Sequence, residues 1–457
     1  MADEKKESTS LTHLPVDIEK EVCDDCDLST GFSTELPPRV EKTCTVGYSS
    51  DPGLNTNGSN ELGIDIPDGG FHAWLQVFDA EMGVVNSFGV FQAYYESAML
   101  NDQSPSNISW IGSIQAFLLL VVGLITGRAY DAGYFRLLVQ AGTILIVFGF
   151  MMTSLCKAYW QIMLAQAVVI GIGSGFLYYP SVAILPQYFS TKKSLANGFA
   201  TSGSSIGGVI YPIVFRRLEP QIGFGWTTRV IGFIVLVTSS FSLAIMKVRV
   251  PPTEKRKLWS LDALKEPTFG LVTLALFLGF AGTYIPIFYT QSYAIDEKIT
   301  DENLGLCMLA ILNSSSVFGR IIPNFFADKI GALNILAPTM GVAGLLAFCW
   351  TTVKNKTWMI IFALLYGFFS GTIVSLPQVL LVALSPSLNV VGTRLGTALP
   401  LAALGILIGS PVAGAIRNAT DSYFGMQIFS GSMSMAALGV LIAARISKSG
   451  WKVKVKI

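Results

Sequence analysis

Charge is scarce over most of this chain, so the ionisable side chains that interrupt its apolar runs are the first candidates for chemistry. Arg320 follows Gly319 inside one run. Asp79 and Glu81 stand close together in another, Val77-Phe78-Asp79-Ala80-Glu81-Met82-Gly83. A charge held in hydrocarbon is costly and is mostly retained for binding, proton transfer or gating. Two acids in mid-span form a candidate proton site; the competing reading is a shortened or wrongly joined segment whose acids serve no function. Asp131 and Arg136 stand in Gly127-Arg-Ala-Tyr-Asp131-Ala-Gly133-Tyr-Phe-Arg136, and a weaker copy recurs as Gly319-Arg320 with Asp328-x-x-Gly331. An aspartate in such a turn can accept from the amides of a helix N-terminus or pair with a cation. That contact can break when two halves of a molecule rock. A solvated turn explains one copy and explains two at equivalent positions poorly.

Enzymatic constellations fail by their own geometry. Gly203-Ser-Ser205-Ile-Gly207 matches a hydrolase elbow, but that arrangement needs a histidine after the serine. The two histidines, His13 and His72, both precede it. Gly171-Ile-Gly173-Ser-Gly175 lies inside an apolar run and lacks the strand that a dinucleotide loop requires, and no phosphate-binding G-x-x-x-x-G-K-[ST] loop is present. Cys23-Asp-Asp-Cys26 has metal-like spacing, yet tetrahedral zinc takes four ligands, and His13 and Cys44 would complete the set only at irregular distances. The chain is read as no enzyme, with no cofactor and no metal.

The elements that position these residues are long and apolar. Charged residues make up 13% of the 457 and hydrophobic ones 51%, with mean hydropathy +0.55. Soluble domains carry about 25% charged residues. The net charge of +1 argues against a nucleic-acid partner. Residues 1–66 are rich in Ser, Thr, Asp, Glu, Lys and Pro, begin with no signal-peptide pattern, and read as a disordered cytosolic tail. Apolar runs of membrane-spanning length follow at 72–95, 109–127, 136–155, 159–183, 195–215, 227–247, 268–290, 303–324, 333–353, 358–382, 393–415 and 424–445. Backbone groups in lipid must be satisfied internally, which makes these runs helices. A basic, Pro-containing linker at 248–267 separates six of them (67–247) from six more (268–445), and 446–457 forms a second cytosolic tail.

With both termini in the cytosol, the connections assigned inside hold roughly twice as many Lys and Arg as those outside. The sequons at Asn107, Asn355 and Asn418 then all fall outside, as glycosylation would need. The two halves echo each other. Gly171-x-x-x-Gly175 before Pro180 resembles Gly367-x-x-x-Gly371 before Pro377, and Gly198, Gly203 and Gly207 resemble Gly396, Gly405 and Gly409. Small residues let helix backbones approach closely. Pro180, Pro186, Pro286, Pro323, Pro377 and Pro400 are candidate kinks beside a cavity. Tyr178, Tyr179, Tyr284 and Tyr289 are candidate cavity side chains, with plain helix packing the alternative. His72 reads as an interfacial ring, with pH sensing the alternative.

Parallel six-helix repeats and the Gly127–Arg136 loop resemble the major facilitator superfamily, and four stretches resemble its fungal monocarboxylate porter-like branch. They are Asp68-Gly69-Gly70-Phe71 with Ala73-Trp74; Asn86-Ser-Phe-Gly89-Val-Phe91-Gln-Ala-Tyr94-Tyr95; Tyr188-Phe189-x-x-Lys192-Lys193-x-Leu195-Ala196-x-Gly198-x-Ala200-x-x-Gly203; and Gly392-x-Arg394-x-Gly396 with Gly405, Gly409, Pro411 and Gly414-Ala415. The resemblance implies an all-α membrane protein of twelve transmembrane helices in two pseudo-symmetric halves. It implies a substrate site at their interface near the bilayer midplane. It places Arg320 where those porters hold a carboxylate-binding arginine, a role that suits the bidentate guanidinium fork; the alternatives are snorkelling to the cytosolic face and pairing with Asp328. Ser316 and Asn86 stand near the places of a porter aspartate and lysine, so the proton-coupled lactate mechanism does not carry over.

The expectation is a secondary transporter of a small organic molecule, a monocarboxylate or other organic anion, working by alternating access as a monomer in the bilayer, with protons as a candidate coupling ion. Efflux of a fungal secondary metabolite is the alternative within that class, and a membrane nutrient sensor the alternative outside it. Arg320, Asn86, Tyr284 and Tyr178 are the expected substrate contacts. Asp131, Arg136, Asp328, Asp79 and Glu81 are the expected gating or coupling residues. The plasma membrane is the expected location, the vacuolar membrane the alternative.

Overall fold

A computed structural model describes residues 83–189, 191–248, 260–305, 307–386, 388–450 and 455. They fall within one compact unit, Asn57–Ile457. Asp79, Glu81, His72, His13 and the cysteines at 23, 26 and 44 lie outside the described residues, as do the tail at 1–66 and most of the linker.

Helix α1 runs over Phe88–Tyr94 and continues as a π-helical turn, Tyr95–Met99. Then come α2 (Pro105–Asp131), α3 (Phe135–Thr153) and α4 (Tyr159–Ile184). The fifth and sixth passes form one helical stretch, Lys193–Ile245, broken at Gly223 (φ 75°, ψ 166°); α5 is 193–222 and α6 is 224–245. The second half comprises α7 (Pro267–Asp296), α8 (Met308–Ile330), α9 (Ala332–Cys349), α10 (Lys356–Ala383), α11 (Leu388–Thr420) and α12 (Phe424–Ser449). Among the described residues these are eleven long helices and the short α1, six to each half, in keeping with twelve passes.

Several boundaries differ from the sequence reading, for local reasons. The connection expected around Arg216, Arg217 and Arg229 shrinks to the break at Gly223, so all three arginines sit on helix. The expected linker already holds a 3-10 turn, Leu261–Lys265, before Pro267 opens α7, where proline's missing N–H costs nothing. Helix α12 runs to Ser449, into the stretch read as a tail. Helix α8 is polar for a span, but its 23 residues reach about 34 Å, enough to cross. Its Asn313, Ser316, Arg320 and Asn324 are turned inward and buried.

Caps mark several helix starts. Ser104 accepts from the Asn107 amide (3.2 Å) ahead of α2, and Asn355 accepts from the Trp358 amide (3.0 Å) ahead of α10. Gly133 (φ 87°) follows α2 and Gly331 (φ 98°) follows α8, at matching places in the two halves. Only glycine enters that region without strain, so the recurring glycine of the two loop motifs has a backbone cause.

The start of α1 and the end of α12 lie on one face, called here the terminal face. The other, the distal face, carries the turns after α1, α3, α5, α7, α9 and α11. The halves meet where α2 packs on α11, α5 on α8, and α1 on α7. A large buried apolar cluster runs through both halves.

Candidate substrate cavity and its two closures

A cavity of about 50 Å³ lies between the halves. The first half contributes Val85 and Asn86 just before α1, Ala116, Leu119 and Leu120 of α2, Tyr178 of α4, and Thr201 and Ser204 of α5. The second contributes Phe280 and Tyr284 of α7, Val374, Pro377 and Gln378 of α10, and Leu399 of α11. Repeat-related helices thus face each other across it: α1 and α7, α4 and α10, α5 and α11. Among the described residues, none that lines the cavity is charged. Pockets that hold drug-sized ligands span roughly 300–1,000 Å³. This one has room for water alone, so the conformation is occluded and must expand to admit a substrate.

The polar lining groups bridge the halves or brace one half. Tyr178 accepts a hydrogen bond from the Gln378 amide across the cavity. Asn86 donates to Ser204 Oγ (2.9 Å), and its carbonyl accepts from Asn313 of α8 (3.4 Å). Of the expected substrate contacts, Asn86, Tyr178 and Tyr284 line the cavity and Arg320 does not. Arg320 is 2% exposed, and its Nη1 donates to the Thr201 carbonyl (2.6 Å), so it ties α8 to α5 just outside the cavity wall. It is buried rather than snorkelling to a membrane face. Among the other expected tyrosines, Tyr179 packs on Tyr130, and Tyr289 reaches the Pro105 and Ser410 carbonyls.

On the terminal face, Asp328 of α8 accepts from the Ser194 and Leu195 amides at the start of α5 (both 3.0 Å). This is the contact anticipated for the loop-motif aspartates, a carboxylate on the positive end of a helix. Asn197 donates to the Ser375 carbonyl of α10 (2.8 Å), and Ser205 donates to Ser316 (3.0 Å). Gly198 lies against the Arg320 backbone: a Cβ there would fall 2.4 Å from the Arg320 carbonyl oxygen. Asp131 is buried at the end of α2, and Arg136 is exposed in the first turn of α3.

The distal face closes differently. Arg417 of α11 bridges Glu96 of the first half (3.3 Å) and Asp296 of α7 (2.5 Å). Glu96 also accepts from Gln92 (3.0 Å) and from Ser292 of α7 (3.1 Å). Tyr423, in the turn before α12, lies under the Arg417 guanidinium and donates to Asp296 (2.6 Å). Burial first, and then the neighbouring Asp296, push the Tyr423 hydroxyl far above the ordinary phenol range, so it remains a donor. Ser106 of α2 donates to the Pro411 carbonyl of α11 (2.9 Å) on the same face. Glu96, Arg417 and Gln378 carried no signal in the sequence reading. Glu96 directly follows the stretch that ends at Tyr95, and Gln378 directly follows Pro377. Asn107, Asn355 and Asn418 are all exposed and all at the distal ends of their helices.

A sequence profile of the Major Facilitator Superfamily matches residues 80–396. The chain belongs to this superfamily. It is 45% identical over 378 residues to the MFS-type transporter dbaD of Emericella nidulans, covering 81% of this chain and 85% of that one. It is 36% identical to the aspyridones efflux protein apdF of the same organism, over 84% of this chain and 80% of the relative. It is 37% identical to the agnestins efflux protein AgnL12 of Paecilomyces divaricatus, over 82% and 86%. Its fold is that of the human organic anion transporter MFSD10, at TM-score 0.63 and 14% identity, over 81% of this chain and 99% of that one. The superfamily consists of multi-pass membrane transporters of small molecules, and the chain is a transporter rather than an enzyme.

Proposed function

We propose that this transporter exports a small, uncharged, largely apolar organic molecule of the secondary-metabolite kind, by alternating access between its six-helix halves. The observation that carries the substrate class is the cavity wall, where apolar side chains are interspersed with neutral hydrogen-bonding groups and, among the described residues, no cation. A carboxylate entering such a wall would exchange its water for neutral donors with no counter-ion among the described residues, at a cost of several kcal/mol. A polyketide-like molecule with hydroxyl and carbonyl groups would find Asn86, Thr201, Ser204, Tyr178, Tyr284 and Gln378. The direction rests on the two relatives named as efflux proteins. Arg320 acts in this reading as a tie between α5 and α8 rather than as the substrate's counter-ion. The protein works as a monomer in the plasma membrane, with its terminal face in the cytosol.

The test is a comparison of metabolites inside and outside fungal cells with and without the protein. Neutral aromatic or polyketide-type compounds should accumulate inside cells that lack it, by at least several-fold, and fall in the medium. Loss of organic-acid uptake instead would restore the monocarboxylate reading. An unchanged distribution together with a lost growth response would point to a sensor.

A further inference from the structure

We propose that Glu96 is a protonation site that holds the distal mouth shut while ionised and releases it on taking up a proton. The inference rests on the alternating-access reading above and adds a site that this reading does not use.

The cluster is short of positive charge. Glu96 and Asp296 share a single guanidinium, so the three groups sum to one net negative charge; the Glu96 and Arg417 side chains are 14% and 17% exposed, while Asp296 is open to solvent. One proton neutralises the cluster. Of the two carboxylates, Glu96 is the one whose bond joins the halves, since α7 and α11 both belong to the second half. Protonation of Glu96 therefore weakens the bond across the mouth and leaves Arg417 paired with Asp296 and stacked on Tyr423. No cation is stranded, which makes the release inexpensive.

The surroundings suit both protonation states. The side-chain amide of Gln92, 0% exposed, donates its Nε2 to the Glu96 carboxylate, while its Oε1 is buried with no hydrogen-bond partner among the described residues. An amide offers a donor at one end and an acceptor at the other. Rotation of that amide presents its oxygen to a protonated carboxyl. Ser292 acts the other way, because its hydroxyl donates to Glu96 Oε2 and favours the ionised form.

The groups that face Glu96 from the neighbouring elements are few. Arg417 comes from α11, and Asp296, Ser292 and the Tyr289 phenol come from α7; α2 offers Ser106 and Ser109, with no charge. The Tyr423 phenol faces Asp296 from the start of α12. On the α5 side, Glu219 faces Tyr94 rather than Glu96. Arg417 is the single cation facing Glu96 among the described residues, so the sign is fixed: the latch is strongest with Glu96 ionised and weakens as pH falls.

The test measures the mouth directly in the full chain, with native cysteines replaced and spin labels at Asn101→Cys and Thr420→Cys. Both sites are exposed and lie on opposite halves of the distal face. The wild-type distance distribution should lengthen as pH is lowered. Glu96→Gln should give the long distance at every pH, a shift in the open-to-closed ratio on the order of tenfold for a lost charge-assisted bond. Ser292→Ala should keep the transition and move its midpoint to higher pH, because the ionised form loses a donor. Asp296→Asn leaves the Glu96–Arg417 bond in place and should keep the pH response. A wild type that does not respond to pH, or a Glu96→Gln protein that still does, overturns the proposal. Should Glu96→Gln fail to accumulate, Ser292→Ala decides alone, an unmoved midpoint being the adverse result. No substrate enters the measurement, so failure of the efflux reading would leave its outcome intact.

Discussion

The two faces of this transporter close by different physical means. On the terminal face, helix backbones meet: Gly198 of α5 rests on the Arg320 carbonyl of α8, Asp328 caps the amides that open α5, and Asn197 reaches a carbonyl of α10. On the distal face an ion cluster of Glu96, Asp296 and Arg417, with Tyr423 beside it, adds to the close contact of α2 with α11 at Ser106 and Pro411. A closure of backbone contacts depends on shape and responds little to pH or salt. A closure of ionised side chains responds to pH, and to salt to the extent that its charges are exposed. A pump that must stay sealed towards one compartment while sensing the other would benefit from this division.

The comparison breaks hardest at Gly198. A β-branched side chain there has nowhere to go, because the obstructing atom is a backbone oxygen on a helix that cannot move alone. Overpacking of this kind costs about 1–3 kcal/mol, which corresponds to roughly a 5- to 150-fold change in a two-state equilibrium. Gly198→Val should hold the terminal face open. Spin labels at Lys192→Cys and Lys329→Cys, both exposed on that face, should report a longer distance, and transport should fall to background. Unchanged distances on the terminal face would show that backbone contact is not what closes it.

Arg320→Ala should do less damage. Among the contacts of the described residues, it removes the charge-assisted hydrogen bond to the Thr201 carbonyl. Such bonds contribute about 1.5–3 kcal/mol, so turnover should drop on the order of tenfold to a hundredfold with the protein still inserted. If Arg320 is a tie, substrate affinity measured by direct binding should change less than threefold. A loss of affinity larger than the loss of turnover would make Arg320 a substrate ligand after all.

The same contrast explains what could be read from the chain in advance. The helical spans followed from apolar length, and the loop motif, present in two copies, drew attention to Asp131 with Gly133 and to Asp328 with Gly331. Backbone geometry leaves a trace in sequence, because positive φ demands glycine and a helix N-terminus attracts a carboxylate. The distal latch left none. Glu96 and Arg417 lie 321 residues apart and sit at helix ends, where charged residues are ordinary. Nothing local distinguishes a latch from a solvated helix terminus until the fold brings them together. Arg320 stood out as a charge in an apolar run, but its sequence context could not reveal that its partner is a main-chain oxygen. Gln378 was hidden for a similar reason, since a neutral amide beside a helix proline carries no signal of facing a cavity.

The smallest expected effect is also the sharpest test of the division, because it applies one chemical change to both faces. Asp328→Asn and Glu96→Gln each convert a carboxylate to the matching amide. At Asp328 the amide keeps an oxygen that can still accept from the α5 amides; what is lost is the charge on the helix end, worth about 0.3–1 kcal/mol. The terminal-face distance should therefore shift its populations only two- to fivefold, with no new dependence on pH. Asp328→Ala removes the acceptor as well and should add about 1 kcal/mol, the usual contribution of a helix cap. If Asp328→Asn were as damaging as the alanine, the terminal closure would be ionic like the distal one, and the two faces would differ in residues but not in kind. A near-silent Asp328→Asn beside a Glu96→Gln that abolishes the pH response would show that one end is closed by shape and the other by charge.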